Sequence, residues 1–258
     1  MKKFVSFAIS HPNIVLRVLL KKNLTKSQRE QITLMTIEKI ESECSFGKES
    51  LLKFHREIKN NHDLIDYISK SLENLTNTGA FNPTFQTIVY SIIRYLKPEY
   101  VVETGVANGV SSTIILQALE LNNNGFLYSI DLPVLHWENT EYRKVDKVEV
   151  KNDEVGWLVP SKFQKKWILS LGKSRELLPE IFNKIKKCEV FFHDSEHSFD
   201  NMMFEFNTAW PYITNGGIIL ADDVNRNTAF DDFVNDHKDE VISLKIGQFG
   251  FIMKKSTK

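Results

Sequence analysis

The chain has 258 residues, with 33 basic and 33 acidic side chains and therefore no net charge. That balance leaves no electrostatic footprint for nucleic acid or for an anionic membrane surface. Hydrophobic residues at 42% and charged residues at 26% describe a globular chain, of a length that suits one α/β domain with an added piece or two small domains.

At the N-terminus Lys2 and Lys3 precede an apolar stretch, as in a secretory leader. His11-Pro12 interrupts it, and no small-x-small cleavage site follows. No run approaches the roughly 20 apolar residues of a membrane span. Cys44 and Cys188 lie far apart without metal-type spacing, and Cys188 opens an apolar run, so both read as free thiols in a reducing compartment. A soluble, cytoplasmic protein is the expectation.

Residues 13–75 carry apolar positions at helical spacing: Ile32, Leu34, Met35, Ile37 and Ile40, then Leu51, Leu52, Phe54 and Ile58, then Leu64, Ile65, Ile68 and Leu72. Residues 1–78 are expected to form a helical cap or an element for homo-oligomerisation. A boundary is placed at Asn77-Thr78-Gly79, with a further breaker at Asn82-Pro83. The remaining 79–258 read as one domain. Its elements alternate: helix 84–96, strand 100–103, helix 111–121, strand 126–131. A polar segment at 132–166 is too long for an ordinary connection and reads as a lid or substrate loop. Then come strand 167–171, helix 175–186, strand 189–193, helix 199–212, strand 217–221, helix 228–237, and a hairpin of strands 241–246 and 250–254 around Gly247. This pattern predicts an α/β, Rossmann-like seven-stranded sheet, parallel except for one strand of the closing hairpin, with helices on both faces.

The first strand runs into Glu103-Thr104-Gly105-Val106-Ala107-Asn108-Gly109. Gly105 permits a tight turn, Gly109 allows close backbone approach, and the helix behind offers free N–H groups and its positive dipole end. Ser111 and Ser112 can cap that helix or donate to a carboxylate. The dinucleotide fingerprint fails because Ala107 and Val110 stand where glycines belong, and no P-loop Gly-Lys-Ser/Thr follows. A bare strand–helix turn is the plainer alternative. Asp131 ends the second strand, where a carboxylate can accept both ribose hydroxyls of an adenosine; a turn-initiating Asp is its alternative.

Two later strands end in Asp194 and in Asp222-Asp223. Strand carboxyl ends converge on one crevice in such a sheet. Three carboxylates there repel unless a cation compensates, and oxygen-only ligation suits Mg²⁺, Mn²⁺ or Ca²⁺. Capping or solvated loop acids are the alternative. Beside them Glu196 and His197 are candidates for a general base. His193 is expected on the opposite face of its strand.

The succession Val102-Glu103-Thr104-Gly105-Val106-Ala107-Asn108-Gly109-Val110-Ser111-Ser112, Ser129-Ile130-Asp131, His193-Asp194-Ser195-Glu196-His197-Ser198-Phe199, Pro211-Tyr212-Ile213-Thr214-Asn215-Gly216-Gly217 and Ala221-Asp222-Asp223 resembles class I S-adenosylmethionine (SAM)-dependent methyltransferases. Among them it is most similar to macrocin-type and other antibiotic-sugar O-methyltransferases, over residues 80–254. The resemblance implies that Glu103, Gly105, Ala107 and Gly109 line the methionine portion of SAM, and that Ser111 or Ser112 meets its carboxylate. Asp131 would hold the ribose, Ser174 would lie near the adenine, and Asp194 would border the cofactor. Asp194, Asp222 and Asp223 would match a divalent-metal triad. His197 falls where catechol-type relatives carry a lysine base, and Glu196 falls where sugar-modifying relatives carry a second acid. The implied activity is metal-assisted O-methylation of a sugar, glycan or other small hydroxylated acceptor. Metal-independent transfer, a non-catalytic SAM-binding protein and an NAD-type oxidoreductase are the competing readings.

Overall fold

The computed structural model describes residues 25–79, 82–132 and 148–256. The leader-like start of the chain and the centre of the 132–166 segment lie outside the described residues. Three helices come first: α1 (Lys26–Glu43), α2 (Leu52–Lys59) and α3 (His62–Leu72). Thr25 and Gln28 form a reciprocal capping box at the start of α1. Buried Glu41 accepts the backbone N–H groups of Glu49, Leu51 and Leu52, which would otherwise be unpaired donors at the start of α2. α4 (Pro83–Leu96) begins with Asn82 as its cap and proline in its first turn.

From there strands and helices alternate: β1 (Tyr100–Thr104), α5 (Val110–Asn122), β2 (Phe126–Asp131), β3 (Trp167–Leu171), α6 (Ser174–Ile185), β4 (Cys188–His193), α7 (Phe199–Ala209), β5 (Ile213–Ala221), α8 (Ala229–Asp236), β6 (Val241–Ile246) and β7 (Phe249–Lys254). The sheet has seven strands in the order β3-β2-β1-β4-β5-β7-β6. β7 inserts between β5 and β6 and runs antiparallel to both, while β1 to β5 pair in parallel. This is the α/β Rossmann-like sheet expected from the alternation.

The central strands are buried on both faces, as a helix-covered parallel sheet requires. Two apolar clusters flank the sheet. One joins Val101, Leu127, Phe192 and Leu220 to α4 and α5, and α1 and α2 add Ile37, Ile40, Phe54 and Ile58 to this same cluster. Residues of α6, α7 and α8, among them Phe182, Phe206 and Phe233, pack on Val102 and Phe191 on the other face. Polar ties reinforce the first layer: His55 Nδ1 meets the Thr87 hydroxyl at 3.1 Å, and Glu57 pairs with Arg94 at 2.7 and 3.0 Å. Cys44 and Cys188 are buried free thiols. Among the described residues no helix is long and apolar enough to cross a membrane.

Candidate functional site

The carboxyl ends of β1, β2, β4 and β5 open onto one cavity of about 500 Å³, the crevice that this topology creates. Backbone bonds lace its floor. Asp194 N–H donates to Thr104 O at 2.8 Å, Asp222 N–H to His193 O at 2.9 Å, and Gly105 N–H to Ile130 O at 2.9 Å. The cavity takes in Gly105, Ala107, Ser111, Asp131, Ser174 and Asp194 of the expected cofactor residues, and with them Glu196, His197, Asp222 and Asp223.

Glu103, Gly109 and Ser112 do not line it. Glu103 is fully buried and accepts the hydroxyls of Ser111, Ser112 and Ser129 at 2.6, 2.6 and 2.8 Å. Burial pushes its carboxyl up to about 7 against those hydrogen bonds. Ser111 and Ser112 therefore spend their protons on Glu103. Gly109 sits at φ +88°, and a Cβ there would meet Val159 and Gly156, so this glycine serves packing against the 156–159 segment.

Asp131 holds the turn itself. Its Oδ2 accepts the N–H groups of Val106 and Ala107 at 2.8 and 2.7 Å. Burial raises its carboxyl to about 6, and these two backbone donors oppose the rise. Ala107 lies at φ +47°, a left-handed conformation that costs a non-glycine residue and persists where its surroundings fix it.

A part of the wall that sequence reasoning did not find comes from Asn77, Thr78, Gly79 and Val148. The breaker at 77–79, read as a boundary, is also a cavity strap. Glu149 N–H donates to Asn77 O at 2.7 Å, and Thr76 donates to the Glu149 carboxylate through its backbone N–H and its hydroxyl at 2.8 and 3.0 Å. Asn108, only 1% exposed, ties the strap to the glycine turn. Its amide donates to Thr78 O and Glu149 O at 2.9 and 2.8 Å, and its Oδ1 accepts the Trp157 indole N–H at 2.5 Å. Trp157-Leu158-Val159-Pro160, without an expected role, thus packs on the turn; Gly156 N–H and Leu158 N–H bond to the carbonyls of Ala107 and Asn108. Asn108→Ala is expected to lower stability by about 1–3 kcal/mol, because buried partners lose their hydrogen bonds. Limited proteolysis should then cut faster within 148–160; an unchanged digestion rate and melting temperature would refute this tie.

At the far ends of β4 and β5, His197 is the least conventional group. Its Nδ1 and Nε2 are both buried without a hydrogen-bond partner. They stand 4.0 Å from Asp223 Oδ2 and 3.8 Å from Asp194 Oδ1. Burial, then His193 and Arg226, push its pKa down to about 2, so the imidazole is neutral at physiological pH with a lone pair to offer. Glu196 is exposed and accepts the Ser198 hydroxyl at 2.8 Å. His193 does point away from the cavity. Its Nδ1 meets Glu205 Oε2 at 2.7 Å, and Glu205 also accepts from Thr104, Ser195 and Asn201 at 2.6, 2.8 and 3.0 Å.

The three carboxylates expected as a divalent-ion triad, Asp194, Asp222 and Asp223, line one cavity. Among the described residues no group of three His, Cys, Asp or Glu side chains is placed to hold a metal ion. Asp222 Oδ1 is taken by the Gln248 amide at 2.8 Å, and Asp223 Oδ2 by the Arg226 guanidinium. An ion ligated at about 2.0–2.1 Å by those two oxygens would have to displace both contacts.

Residues 102–224 match a family model described as a methyltransferase domain. No curated protein matches the sequence. Among solved structures the chain is similar to the O-methyltransferase from Bacillus cereus in complex with SAH, at 14% identity and a TM-score of 0.52, covering 75% of this chain and 90% of that one. It is also similar to an SAH-bound methyltransferase from Podospora anserina, at 12% identity and a TM-score of 0.51, covering 92% and 100%. Residues 102–224 are thus similar to a methyltransferase domain, and the chain shares the Rossmann-like fold of these methyltransferase structures.

Proposed function

We propose that the protein is a SAM-dependent O-methyltransferase acting on a small hydroxylated acceptor, with sugars and glycans as the leading class. The observation that carries this reading is the single cavity that joins the glycine turn, Asp131 and Ser174 to the unpartnered His197. Bound SAM supplies an electrophilic methyl group on a sulfonium. Asp131 receives the ribose hydroxyls, and the turn at Gly105 and Ala107 borders the methionine portion. His197 takes the proton of the acceptor hydroxyl as that oxygen forms its bond to the methyl carbon and the C–S electron pair leaves with sulfur, giving SAH. His197 is preferred to Glu196 on position, because its ring nitrogens face the cavity without a hydrogen-bond partner while the Glu196 carboxylate is exposed and bonded to its own cap residue. As a weak base it takes the proton only as the O–C bond forms. Holding oxygen and methyl in line supplies the larger part of the acceleration, because ideal positioning is worth about 7–11 kcal/mol. The carbohydrate preference comes from the resemblance of the 193–199 and 221–223 motifs to sugar-modifying enzymes.

Calorimetry and thermal shift with SAH, against NAD as control, test the cofactor class; stabilisation by SAH alone is expected. Transfer of labelled methyl to panels of sugars and phenols tests the acceptor. Asp131 can accept two ribose hydroxyls with charge-assisted bonds only as a carboxylate, and its pKa is raised to about 6. SAH affinity should therefore be level above that pH and fall as the pH is lowered through it. Asp131→Asn should bind weakly and without this pH dependence. Absence of SAH binding by the native chain would overturn the proposal.

A further inference from the structure

Like charges crowd at the ends of β4 and β5. Asp194, Asp222 and Asp223 line one cavity there. Such a cluster calls for a compensating cation. This chain brings one of its own. Arg226 lines the cavity and pairs with Asp223, three residues before it. The Arg226 backbone N–H closes a turn onto Asp223 O at 3.0 Å, and Asp223 is held at φ +51°, so the loop is folded to set that guanidinium against that carboxylate. Gln248, from the β6–β7 turn, caps Asp222. The His197 ring reaches toward Asp194 from one nitrogen and toward Asp223 from the other, so an imidazole lies between these two carboxylates.

We infer that Arg226 is the built-in counter-charge of this acidic cluster, standing in for a divalent ion, and that the cavity works without metal. The inference rests on the methyltransferase reading only for its consequence, a metal-independent transfer; the exclusion of the ion is a property of the loop itself. A guanidinium paired at a fixed turn is always charged, so the counter-charge is present before any ligand arrives. An acceptor oxygen entering beside His197 would meet this cation and a neutral imidazole.

Mn²⁺ titration followed by electron paramagnetic resonance, on the full chain in the presence of SAH, tests this. The native protein should show no saturable uptake. Arg226→Ala should gain a Mn²⁺ site at least about tenfold tighter than any residual native binding, a difference of about 1.4 kcal/mol. Adding Asp223→Asn to Arg226→Ala should abolish it again. Arg226→Gln serves if the alanine variant does not fold, and SAH thermal shift reports an intact cavity in each. Stoichiometric Mn²⁺ uptake by the native chain, lost in Asp194→Asn, would overturn the inference. So would an Arg226 variant that binds SAH and still takes up no Mn²⁺. Failure of SAH to bind while the Mn²⁺ pattern holds would instead sink the methyltransferase reading and leave the counter-charge standing.

Discussion

Gly105→Ala is expected to destroy the cofactor turn and to cost the domain about 4 kcal/mol or more, beyond the usual range for a single substitution. Gly105 sits at φ +86°, and a Cβ built on it would fall 2.0 Å from the Asp194 carbonyl oxygen and 2.8 Å from Ser195 N. The left-handed backbone alone costs an alanine about 1–2 kcal/mol. The clash adds more, because the obstacle is backbone and that backbone is tied. Asp194 N–H is bonded to Thr104 O, one residue before the glycine, and Gly105 N–H is bonded to Ile130 O. Relief would require β1 and β4 to part at the end where Glu205, His193 and Thr104 are joined beneath them. Gly216→Ala is the control: its φ is +76°, yet nothing lies within 4 Å of its Cβ, so only the backbone cost applies. Denaturant unfolding and SAH thermal shift should show Gly105→Ala strongly destabilised and blind to SAH, with Gly216→Ala mildly destabilised and responsive. A Gly105→Ala protein with native stability and SAH affinity would refute the reading of this turn.

That comparison shows what was legible in the sequence. Gly105 could be read as a turn glycine, but the backbone that forbids a side chain, Asp194 and Ser195 just past β4, lies almost ninety positions away in the chain. The alternation of strands and helices was readable from apolar runs that switch between short strand-like and longer helical stretches; the strand order was not, because crossover rules narrow the topologies without choosing one. Asp131, Asp222 and Asp223 were readable because strand ends converge. What each carboxylate bonds to was not, since the partners are Gln248 in the last hairpin, Arg226 in a loop, and the backbone of the glycine turn itself. Asn108 lies within the quoted motif, yet its role depends on Thr78, Glu149 and Trp157, which reach it only through folding. Glu205 did leave a signal. It falls on the buried stripe of α7 with Met202, Phe206 and Ala209, and an acid on the apolar stripe of an amphipathic helix announces a buried polar partner.

Glu205→Ala is the second large effect expected, a loss of about 3 kcal/mol or more, because several buried partners lose their acceptor together. The side chain is fully buried. Its loss strands the His193 ring, two hydroxyls and the Asn201 amide, directly under the segment that carries Asp194 and His197. Burial by itself would raise the Glu205 carboxyl; the attraction of the His193 imidazole and the hydrogen bonds from His193 and Thr104 outweigh it, so the pKa lies below its model-compound value of 4.5. A lowered folded-state pKa means that this group's contribution is fully present above about pH 4.5 and is lost as the pH falls through the lower folded value. Glu103, Asp131, Asp194 and Asp222 have raised values and act in the opposite sense, their contribution draining away as the pH rises. The whole protein's pH profile therefore mixes both, and the informative quantity is the difference between native and Glu205→Gln, which keeps the shape and removes the charge. That difference should be constant from neutral pH down to about 4.5 and should narrow below it. A gap that stays constant into strong acid would show that Glu205 is not held as an anion. A Glu205→Gln protein as stable as the native one at pH 7 would show that the charge contributes nothing to holding the β4 loop beneath His197.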